Sequence, residues 1–351
     1  MNEDSFLLDG DVGLYAVADG MSGRAGDGGR EASKQALEAF HRHIKNYYQD
    51  LLSQSQSETE SSRRRVFEIV RDGVQYACQH VNELANESGG GQNTGTTLTS
   101  LLCLGNRGVI THVGHSRIYL LRNAKIYQLT EDHTFVQEQI RQGVLKKGET
   151  SGSPLRNVLT RALGPYPRVQ ADIHGIDLLP GDRFLISTDG YHSYLKSKEI
   201  KAHLSSDKGE NIPQSGIDHI VGLGMSDDTT IIAMFIEGRG EDRWARQINQ
   251  MISTLSKVPL FQDLNYSELV RLMDIVYLKS YAPEEVIFHE NNVGDGLYVV
   301  VEGVVEISQR GVPLVRASTG NHFGEIALCD KKPRSATVAA MSPFTLLSIT
   351  R

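Results

Sequence analysis

The feature that most constrains this chain is a short apolar run that ends abruptly in an acid-glycine pair. It lies in residues 14–24 (LYAVADGMSGR), where the run stops at Asp19. The same design recurs in residues 184–190 (FLISTDG), and it appears in reverse order in residues 226–235 (SDDTTIIAMF). Apolar runs of this length beside glycine or aspartate are typical of buried strands. The sequence therefore predicts three buried strands, each with a carboxylate at one end.

The directions of these strands would bring Asp19, Asp189 and Asp227 together, because two strands run towards one edge and the third runs away from it. Clustered carboxylates repel one another unless cations lie between them, and all-oxygen ligands suit Mg2+ or Mn2+. The alternative is that each acid belongs to an ordinary turn, since Asp-Gly is a common turn-forming pair. Three runs with an acid at the appropriate end favour the metal site.

Composition and charge exclude several classes of protein. The chain has 351 residues, enough for two domains, and its 39% hydrophobic and 23% charged residues are typical of a soluble globular protein. A formal net charge of -7 argues against nucleic acid or a membrane surface as a partner. Cys78, Cys103 and Cys329 match no zinc or redox spacing, and no apolar run approaches membrane-spanning length. We therefore expect a cytoplasmic protein with reduced thiols.

Hydrophobic periodicity predicts an α+β fold for the first part of the chain. Apolar residues recur at helical spacing in residues 32–44 and 66–84, and strand-like runs follow in residues 96–128 and 172–187. Two helices among many antiparallel strands suggest a β-sandwich with flanking helices.

A polar, glycine-containing stretch at residues 237–242 predicts a domain boundary. The next segment has helical spacing and contains the only tryptophan, Trp244. Beyond it, short strands alternate with glycine-containing turns, which predicts a small β-roll or jelly-roll domain. The predicted organisation is a first domain at residues 1–238, a linker helix at 239–256 and a second domain at 257–351.

Eight motifs in the first domain occur in an order typical of one enzyme family. They are NED (2–4), ADGMSG (18–23), GTT (95–97), VGHSRIYLLR (113–122), LTEDHT (129–134), RNVLTRALG (156–164), STDG (187–190) and DDTT (227–230). With these motifs, residues 2–237 resemble the metal-dependent serine/threonine protein phosphatases of type 2C in their bacterial form. The resemblance implies a β-sandwich with helices on both outer faces and a two-metal site at one end.

The resemblance also implies which residues act in catalysis by holding two Mn2+ or Mg2+ ions. Asp19 would bridge the two ions, and Asp189 and Asp227 would complete the shell of the first ion. Further contacts would come from the Gly20 carbonyl on the second ion, and from Glu3 and Asp4 through metal-bound waters.

The implied reaction is dephosphorylation of phosphoserine and phosphothreonine in proteins, by a water molecule that the two ions activate. The phosphoprotein would be a substrate of a bacterial serine/threonine kinase. Residues 146–154 fall where the family has a mobile flap, which we expect to contribute to substrate choice.

The chain departs from the family pattern at three places. The family usually carries an arginine shortly before NED, and this sequence has none there; Arg24 is one substitute, and a solvated loop charge is the alternative. His115 replaces the acid of a GDSR motif that serves a third metal in bacterial members, and imidazole prefers later transition metals to Mg2+. Ser22 replaces a usual glycine. We expect a weakened or absent third metal site, with His115 held by hydrogen bonds.

The second domain resembles the cyclic-nucleotide-binding domains of kinase regulatory subunits and of the catabolite activator protein. The likeness lies in FGEIALCDKKPRSATVAA (323–340) and in GDGLYVVVEGVVEI (294–307). Gly324 allows close backbone approach to an anion, and a short helix there would aim amide groups at it. Glu325 would accept a hydrogen bond from the ribose, and Arg334 and Ser335 would bind the cyclic phosphate.

Two functions from different classes follow from these patterns. The favoured one is a protein phosphatase that cyclic nucleotide regulates, with cAMP preferred over cGMP. The alternative is a catalytically weak phosphatase-like sensor or binding module. In the second domain, the sequence ends at Arg351, so we expect it to lack the C-terminal helices that usually cover the base in this family. The alternative to a nucleotide site is a structural ion pair between Glu325 and Arg334.

Overall fold

The computed structural model describes residues 2–22, 28–57, 59–87, 93–146, 155–206, 211–225, 227–238, 243–294, 296–325 and 333–350. Within it, the chain forms two compact units, Met1–Arg239 and Gly240–Arg351. Several residues and segments singled out by sequence lie outside the described residues: Arg24, Cys329, the expected flap at 147–154 and the expected short helix after Glu325.

The first unit is built on two antiparallel sheets. Its strands are β1 (Asp4–Asp9), β2 (Leu14–Met21), β3 (Gly95–Thr96), β4 (Leu98–Leu104), β5 (Arg107–Val113), β6 (Arg117–Arg122), β7 (Lys125–Gln128), β8 (Asp172–Asp177), β9 (Arg183–Ser187) and β10 (Ile231–Phe235). The first sheet has the order β1-β2-β4-β5-β8, with β3 paired to β2, and the second has the order β10-β9-β6-β7.

Helices cover both sheets of the first unit. They are α1 (Gly28–Asn46), α2 (Tyr48–Ser55), α3 (Glu60–Glu87), α4 (Phe135–Arg141), α5 (Asp189–His192), α6 (Ser197–Leu204) and α7 (Ile212–Gly222). Helices α1, α2 and α3 share one core with the first sheet, whereas α5, α6 and α7 share another with the second sheet. The predicted α+β class is confirmed, with helices on both sheets.

Strand β2 illustrates why the sequence folds in this way. Successive side chains of a strand point to opposite faces, and Leu14, Ala16 and Ala18 enter the core shared with the helices. Val17 lies on the other face and is also fully buried. A strand buried on both faces must be apolar throughout, which explains the run that ends at Asp19.

The second unit contains two further antiparallel sheets. Its strands are β11 (Val276–Tyr281), β12 (Val286–Phe288), β13 (Gly296–Glu302), β14 (Val304–Gln309), β15 (Val312–Ser318), β16 (His322–Phe323), β17 (Thr337–Ala340) and β18 (Phe344–Thr350). The sheets have the orders β11-β18-β13-β16 and β12-β17-β14-β15, as expected for a β-roll. Its helices are α8 (Arg243–Leu255) and α9 (Tyr266–Leu272), with short 3-10 turns at Pro259–Phe261 and Met273–Ile275.

Helix α8 covers the segment that the sequence suggested as a linker. Its apolar face is buried by Ile248, Met251, Ile252 and Leu255, and the helix packs against β13 and α9. The structure groups α8 with the second unit. No helix in the described part of the chain is long and apolar enough to cross a membrane.

A buried ion pair fixes the far end of the second sheet. Arg122 ends β6 and donates from Nε to Asp182 Oδ1 at 2.7 Å and from Nη2 to Asp182 Oδ2 at 2.5 Å. Its Nη2 also donates to the carbonyl of Asp177 at 2.6 Å, and Asp182 Oδ2 accepts from the amide of Leu179 at 2.8 Å. Both side chains are nearly inaccessible to solvent, with exposures of 4% and 2%, so each charge is compensated by the other and not by water.

Arg122→Leu should therefore lower the free energy of unfolding of the first unit by about 3–5 kcal/mol, since it leaves Asp182 charged and buried. Far-UV circular dichroism during urea unfolding measures this transition. The fluorescence of Trp244, which lies in the second unit, provides an internal reference.

The matched control is Arg64→Leu, which breaks an exposed pair with Glu60 in which the two side chains are 69% and 59% accessible. Its cost should stay below about 1 kcal/mol. Equal effects of the two substitutions would contradict the role assigned to the buried pair.

Candidate functional site

The two N-terminal strands bring the first acids together. In the antiparallel pairing of β1 and β2, Asp4 lies opposite Asp19. The backbone at Asp19 is fixed from the other side, because its N–H donates to Thr97 Oγ1 and its carbonyl accepts from the Thr97 amide, both at 2.9 Å. Thr96 Oγ1 donates to the same carbonyl at 2.9 Å. The GTT motif thus holds the end of β2 in place.

The other two acids arrive from the second sheet. Asp189 opens α5 directly after β9, and Asp227 precedes β10. The antiparallel register pairs Ser187 with Ile231, so the end of β9 and the start of β10 coincide. The sequence prediction that opposite strand directions would join these acids is therefore consistent with the observed pairing.

The electrostatics show that the four carboxylates interact. Burial, with the charges of Asp189, Asp4 and Asp227, raises the pKa of Asp19 to about 9. Burial raises the pKa of Asp4 to about 6, against the hydrogen bonds that it accepts from two threonines. Burial and the charge of Asp189 also raise the pKa of Asp227. Three neighbouring carboxylates thus make ionisation of Asp19 harder.

Asp4 is held tightly but incompletely. Its Oδ2 accepts hydrogen bonds from Thr188 Oγ1 and Thr230 Oγ1, both at 2.8 Å. Its buried Oδ1 has no hydrogen-bond partner among the described residues. A buried oxygen left without a donor, beside other carboxylates, is what a site for a cation or a bound water requires.

The backbone around Gly20 approaches closely enough that no side chain fits there. A Cβ on Gly20 would lie 2.1 Å from the carbonyl oxygen of Gly29 and 2.7 Å from that of Glu3. Ser22, which replaces a usual glycine, donates its hydroxyl to Glu3 Oε1 and accepts from the amide of Gly29 at 2.9 Å. The Glu3 amide donates to Asp228 Oδ2 at 2.7 Å. Glu3 is thus tied to both sheets through its side chain and backbone.

His115 lies between two aspartates rather than in an open position. Its Nε2 is 3.2 Å from Asp132 Oδ2, and its Nδ1 is 3.4 Å from Asp189 Oδ2. Burial disfavours the charged imidazole, but the hydrogen bonds and charges of the two aspartates outweigh it and raise the pKa of His115 to about 9. The same contact holds the pKa of Asp189 below its usual value despite burial. His115 thus links Asp132 to Asp189 at the edge of the acid cluster.

Among the described residues, no three histidine, cysteine, aspartate or glutamate side chains already form a ligand shell. The donor set nevertheless fits Mg2+ or Mn2+: it consists of carboxylate oxygens and one constrained backbone carbonyl, with an orphaned oxygen on Asp4. The electrostatic interactions among the aspartates also favour a metal site, because a bound cation would reduce the repulsion between the carboxylates.

Sequence reasoning left several contributors without a role. Five residues of the quoted motifs, which received no role there, contact the predicted site residues. They are Thr97, Thr188, Thr230, Asp132 and Asp228. A hydroxyl or carboxylate directly beside a strand-end acid was a signal that could have found two of them, Thr188 and Asp228.

In the second unit, a pocket lies where the sequence predicted the nucleotide site. The cavity has a volume of about 210 Å³, and all four candidate residues, Gly324, Glu325, Arg334 and Ser335, line it. Glu325 and Ser335 are exposed, whereas Arg334 is buried.

The guanidinium of Arg334 binds the protein in this structure. It donates to the carbonyl oxygens of Gly324 and Gly296, both at 3.0 Å. It also lies over the ring of Phe288, 4.3 Å from the ring centroid, and 5.2 Å from that of Tyr298. Gly324 has a positive φ of 86°, a backbone conformation that favours glycine. The absence of a side chain also permits this contact, because a Cβ at Gly324 would lie 2.6 Å from Arg334 Nη1.

Comparisons with known proteins identify a family for each part of the chain. Residues 1–208 match the family model of protein phosphatase 2C, and residues 278–351 match that of the cyclic nucleotide-binding domain. The chain is 34% identical over 198 residues to the serine/threonine phosphatase stp of Listeria monocytogenes, which covers 55% of this chain and 72% of that relative.

Solved structures show the same fold. The chain is similar to the Mycobacterium tuberculosis serine/threonine phosphatase PstP/Ppp, with 27% identity and a TM-score of 0.58 over 68% of this chain and 93% of that one. It is also similar to the catalytic domain of PstP in complex with 2 manganese ions, with 25% identity and a TM-score of 0.55 over 66% and 91% of the two chains.

The fold and the acid cluster therefore define a protein serine/threonine phosphatase, the enzyme class predicted from the sequence. The chain belongs to the protein phosphatase 2C family and carries a cyclic nucleotide-binding domain in its C-terminal part.

The raised pKa of Asp19 predicts a specific pH dependence of stability without divalent ions. The folded state holds this proton up to about pH 9, against a usual pKa of 3.8, so folding takes up a proton. The free energy of unfolding contributed by this group should fall as the pH rises between those values, by on the order of 1 kcal/mol per pH unit at most.

Asp19→Asn removes this titration. In EDTA, the variant should therefore gain thermal stability relative to the unmodified protein between pH 5 and pH 8, measured as the difference in Tm. Mn2+ should reverse the ranking at pH 8 because it stabilises the ionised cluster. A Tm difference that does not change with pH would contradict the carboxylate coupling.

Proposed function

We propose that this protein is a Mn2+- or Mg2+-dependent phosphatase that hydrolyses phosphoserine and phosphothreonine in proteins, and that cyclic nucleotide regulates it. The observation that carries the catalytic part is the strand register, which pairs Asp4 with Asp19 and sets the end of β9, before Asp189, beside the start of β10, after Asp227. Charges of the neighbouring aspartates also raise the pKa of Asp19. Such a cluster is costly to bury unless cations compensate it.

The residues that would hold two ions follow from this arrangement. Asp19 would lie between them, Asp189 and Asp227 would bind one, and the Gly20 carbonyl would bind the other. Bound divalent ions would supply a water of lowered pKa and neutralise charge on the phosphoryl oxygens.

The protein's own groups position this chemistry. Thr96 and Thr97 fix the backbone at Asp19, while Thr188 and Thr230 orient Asp4 so that Oδ1 remains available to a bound water. Glu3 is oriented by Ser22 for the same purpose. Because these groups are fixed before substrate arrives, little reorganisation is needed during the reaction.

The substrate class and location are inferred from the family and the thiols. Relatives named as serine/threonine phosphatases support a phosphoprotein substrate of a bacterial serine/threonine kinase. Among the described residues, Cys78 and Cys103 are free thiols, which fits a reducing compartment and hence the cytoplasm.

A catalytically weak sensor is the second candidate, and His115 favours it. The imidazole already pairs with Asp132 and Asp189, so one ligand of the first ion is shared with a protein cation. This competition should weaken metal binding, although the three core aspartates are all present.

Asp189→Asn tests the catalytic proposal. The substitution removes an anionic ligand from the shared site and should lower Mn2+-dependent hydrolysis of p-nitrophenyl phosphate and of a phosphothreonine peptide by at least about 100-fold. The unmodified protein should hydrolyse both p-nitrophenyl phosphate and the peptide, whereas a catalytically weak sensor would hydrolyse neither at a comparable rate.

The control for this substitution is Asp218→Asn on α7, an exposed carboxylate that accepts a hydrogen bond from Gln214. It should leave turnover unchanged. A folded Asp189→Asn protein with near-normal turnover would remove the metal assignment.

The regulatory part of the proposal rests on the second pocket. Cyclic nucleotide would bind near Gly324, Glu325, Arg334 and Ser335, with cAMP preferred over cGMP. Its phosphate would draw the Arg334 guanidinium from the carbonyls of Gly296 and Gly324. The cavity of about 210 Å³ is smaller than common ligand pockets, so the nucleotide would need more space, which this movement of Arg334 would provide.

Coupling requires two states that the nucleotide binds unequally. We propose that α8 is the element that shifts, because it packs on β13, the strand that begins at the Arg334 partner Gly296. The expected change in phosphatase activity corresponds to a coupling of about 1–3 kcal/mol.

Calorimetric titration with cAMP and cGMP tests this part, using Arg334→Lys and Arg334→Leu. Both variants should lose nucleotide binding at least about tenfold, because neither retains a bidentate donor for the phosphate. Arg316→Leu is the control, since Arg316 is an exposed arginine of the same unit. The same proteins in the phosphatase assay test coupling.

Two results would contradict the regulatory proposal. Undetectable binding of both nucleotides to the unmodified protein would leave the second unit as a structural or docking module. Binding that changes no phosphatase activity would place the output of the nucleotide elsewhere.

A further inference from the structure

A polar pocket of about 270 Å³ lies beside the carboxylate cluster. We name it the side pocket, and its polar wall includes His115, Arg117, Asp132, Gln137, Arg156 and Ser193. It does not include the four acids of the cluster, but it shares a wall with them, because His115 Nδ1 is 3.4 Å from Asp189 Oδ2.

The charges on this wall are unbalanced. Asp132 is its only carboxylate among the described residues, and it already accepts from Arg117 Nε at 2.7 Å, from Arg117 Nη2 at 2.5 Å and from His115. Arg156 adds a further cation, and its Nη2 donates to the neutral carbonyl of Ser193 at 3.2 Å. Two arginines therefore face one fully engaged acid.

Hydrogen-bonding capacity on the same wall is also unused. Ser193 Oγ and Nε2 of the buried His192 are buried polar atoms without a hydrogen-bond partner among the described residues. His192 also lines the pocket, and its ring meets that of His115 edge-on at a centroid distance of 5.2 Å. Unsatisfied polar atoms beside an excess of positive charge are typical of a site for an anion.

We propose that the side pocket binds an oxyanion of the phosphoprotein substrate other than the phosphate that is hydrolysed. This oxyanion would be a glutamate or aspartate carboxylate, or a second phosphate, within about three residues of the reacting phosphoserine or phosphothreonine. Arg156 is the specificity-determining residue because the single acid of the wall pairs with Arg117 and His115 and not with it. This proposal rests on the proposed function and adds the sequence preference of the substrate.

The geometry sets the reach. An extended peptide advances about 3.3 Å per residue, and a single imidazole separates the side pocket from Asp189. A neighbouring side chain of the same peptide can therefore enter the pocket while the phosphorylated residue is at the acid cluster.

Binding of peptides with a non-hydrolysable phosphonate analogue of phosphothreonine tests the proposal in Mn2+ buffer. The peptides carry Gln, Glu or phosphothreonine at each of three positions on either side of the analogue. Fluorescence anisotropy should show Kd about three- to fivefold lower for Glu than for Gln at one position, as for a partly exposed charge pair, and lower still for the phosphate. The difference should shrink with salt.

Three variants identify the pocket as the cause. Arg156→Gln should abolish the Glu-over-Gln ratio, and Arg156→Glu should invert it. Arg42→Gln, which removes an exposed arginine of α1 outside the pocket, should preserve it. If phosphothreonine but not Glu improves binding, the pocket is specific for a second phosphate; if both do, any oxyanion suffices.

The contrary outcomes are equally definite. Equal Kd values for Glu, Gln and phosphothreonine at all six positions, or no detectable binding of any peptide, would overturn the proposal. So would a preference that survives Arg156→Gln. Hydrolysis of p-nitrophenyl phosphate, measured in parallel, reports on the proposed function alone, so loss of activity with the peptide preference intact would contradict the phosphatase and not the pocket.

Discussion

Mutual repulsion among aspartates, three of them half-buried, is the constraint on which the catalytic half of this structure depends. Asp4 and Asp19 are brought together by one pair of strands, and Asp189 and Asp227 by another. Burial and proximity both oppose ionisation of Asp19, so its pKa rises to about 9. Cations bound among these acids, as proposed above, would relieve this repulsion and stabilise the folded state.

The rest of the first unit serves to hold that cluster rigid. Strands buried on both faces fix the positions of the acids, and threonine hydroxyls from neighbouring motifs fix their orientation. His115 links Asp189 to the Arg117–Asp132 pair. One imidazole thus joins the acid cluster to the side pocket.

The sequence was sufficient for the layers of the fold, because alternation and strand direction are local signals, and it led to the prediction that strand-end acids converge. It was not sufficient for the contacts that cross the fold. The position of His115 between Asp132 and Asp189 depends on the packing of three segments, and Arg156 reaches Ser193 from a distant part of the chain. Likewise, the Arg334 motif predicted a phosphate ligand, whereas its contacts with two carbonyls and an aromatic ring appear only after the sheets have formed.

Anomalous diffraction from crystals of the full chain grown with Mn2+ tests the central claim most directly, because it locates metal without reference to activity. We expect two manganese peaks, both within bonding distance of the Asp19 carboxylate, with Asp189 and Asp227 bound to one and the Gly20 carbonyl bound to the other. An acid cluster that remains free of manganese at saturating concentration, or ions that bind elsewhere and leave Asp19 without a metal contact, would contradict the account.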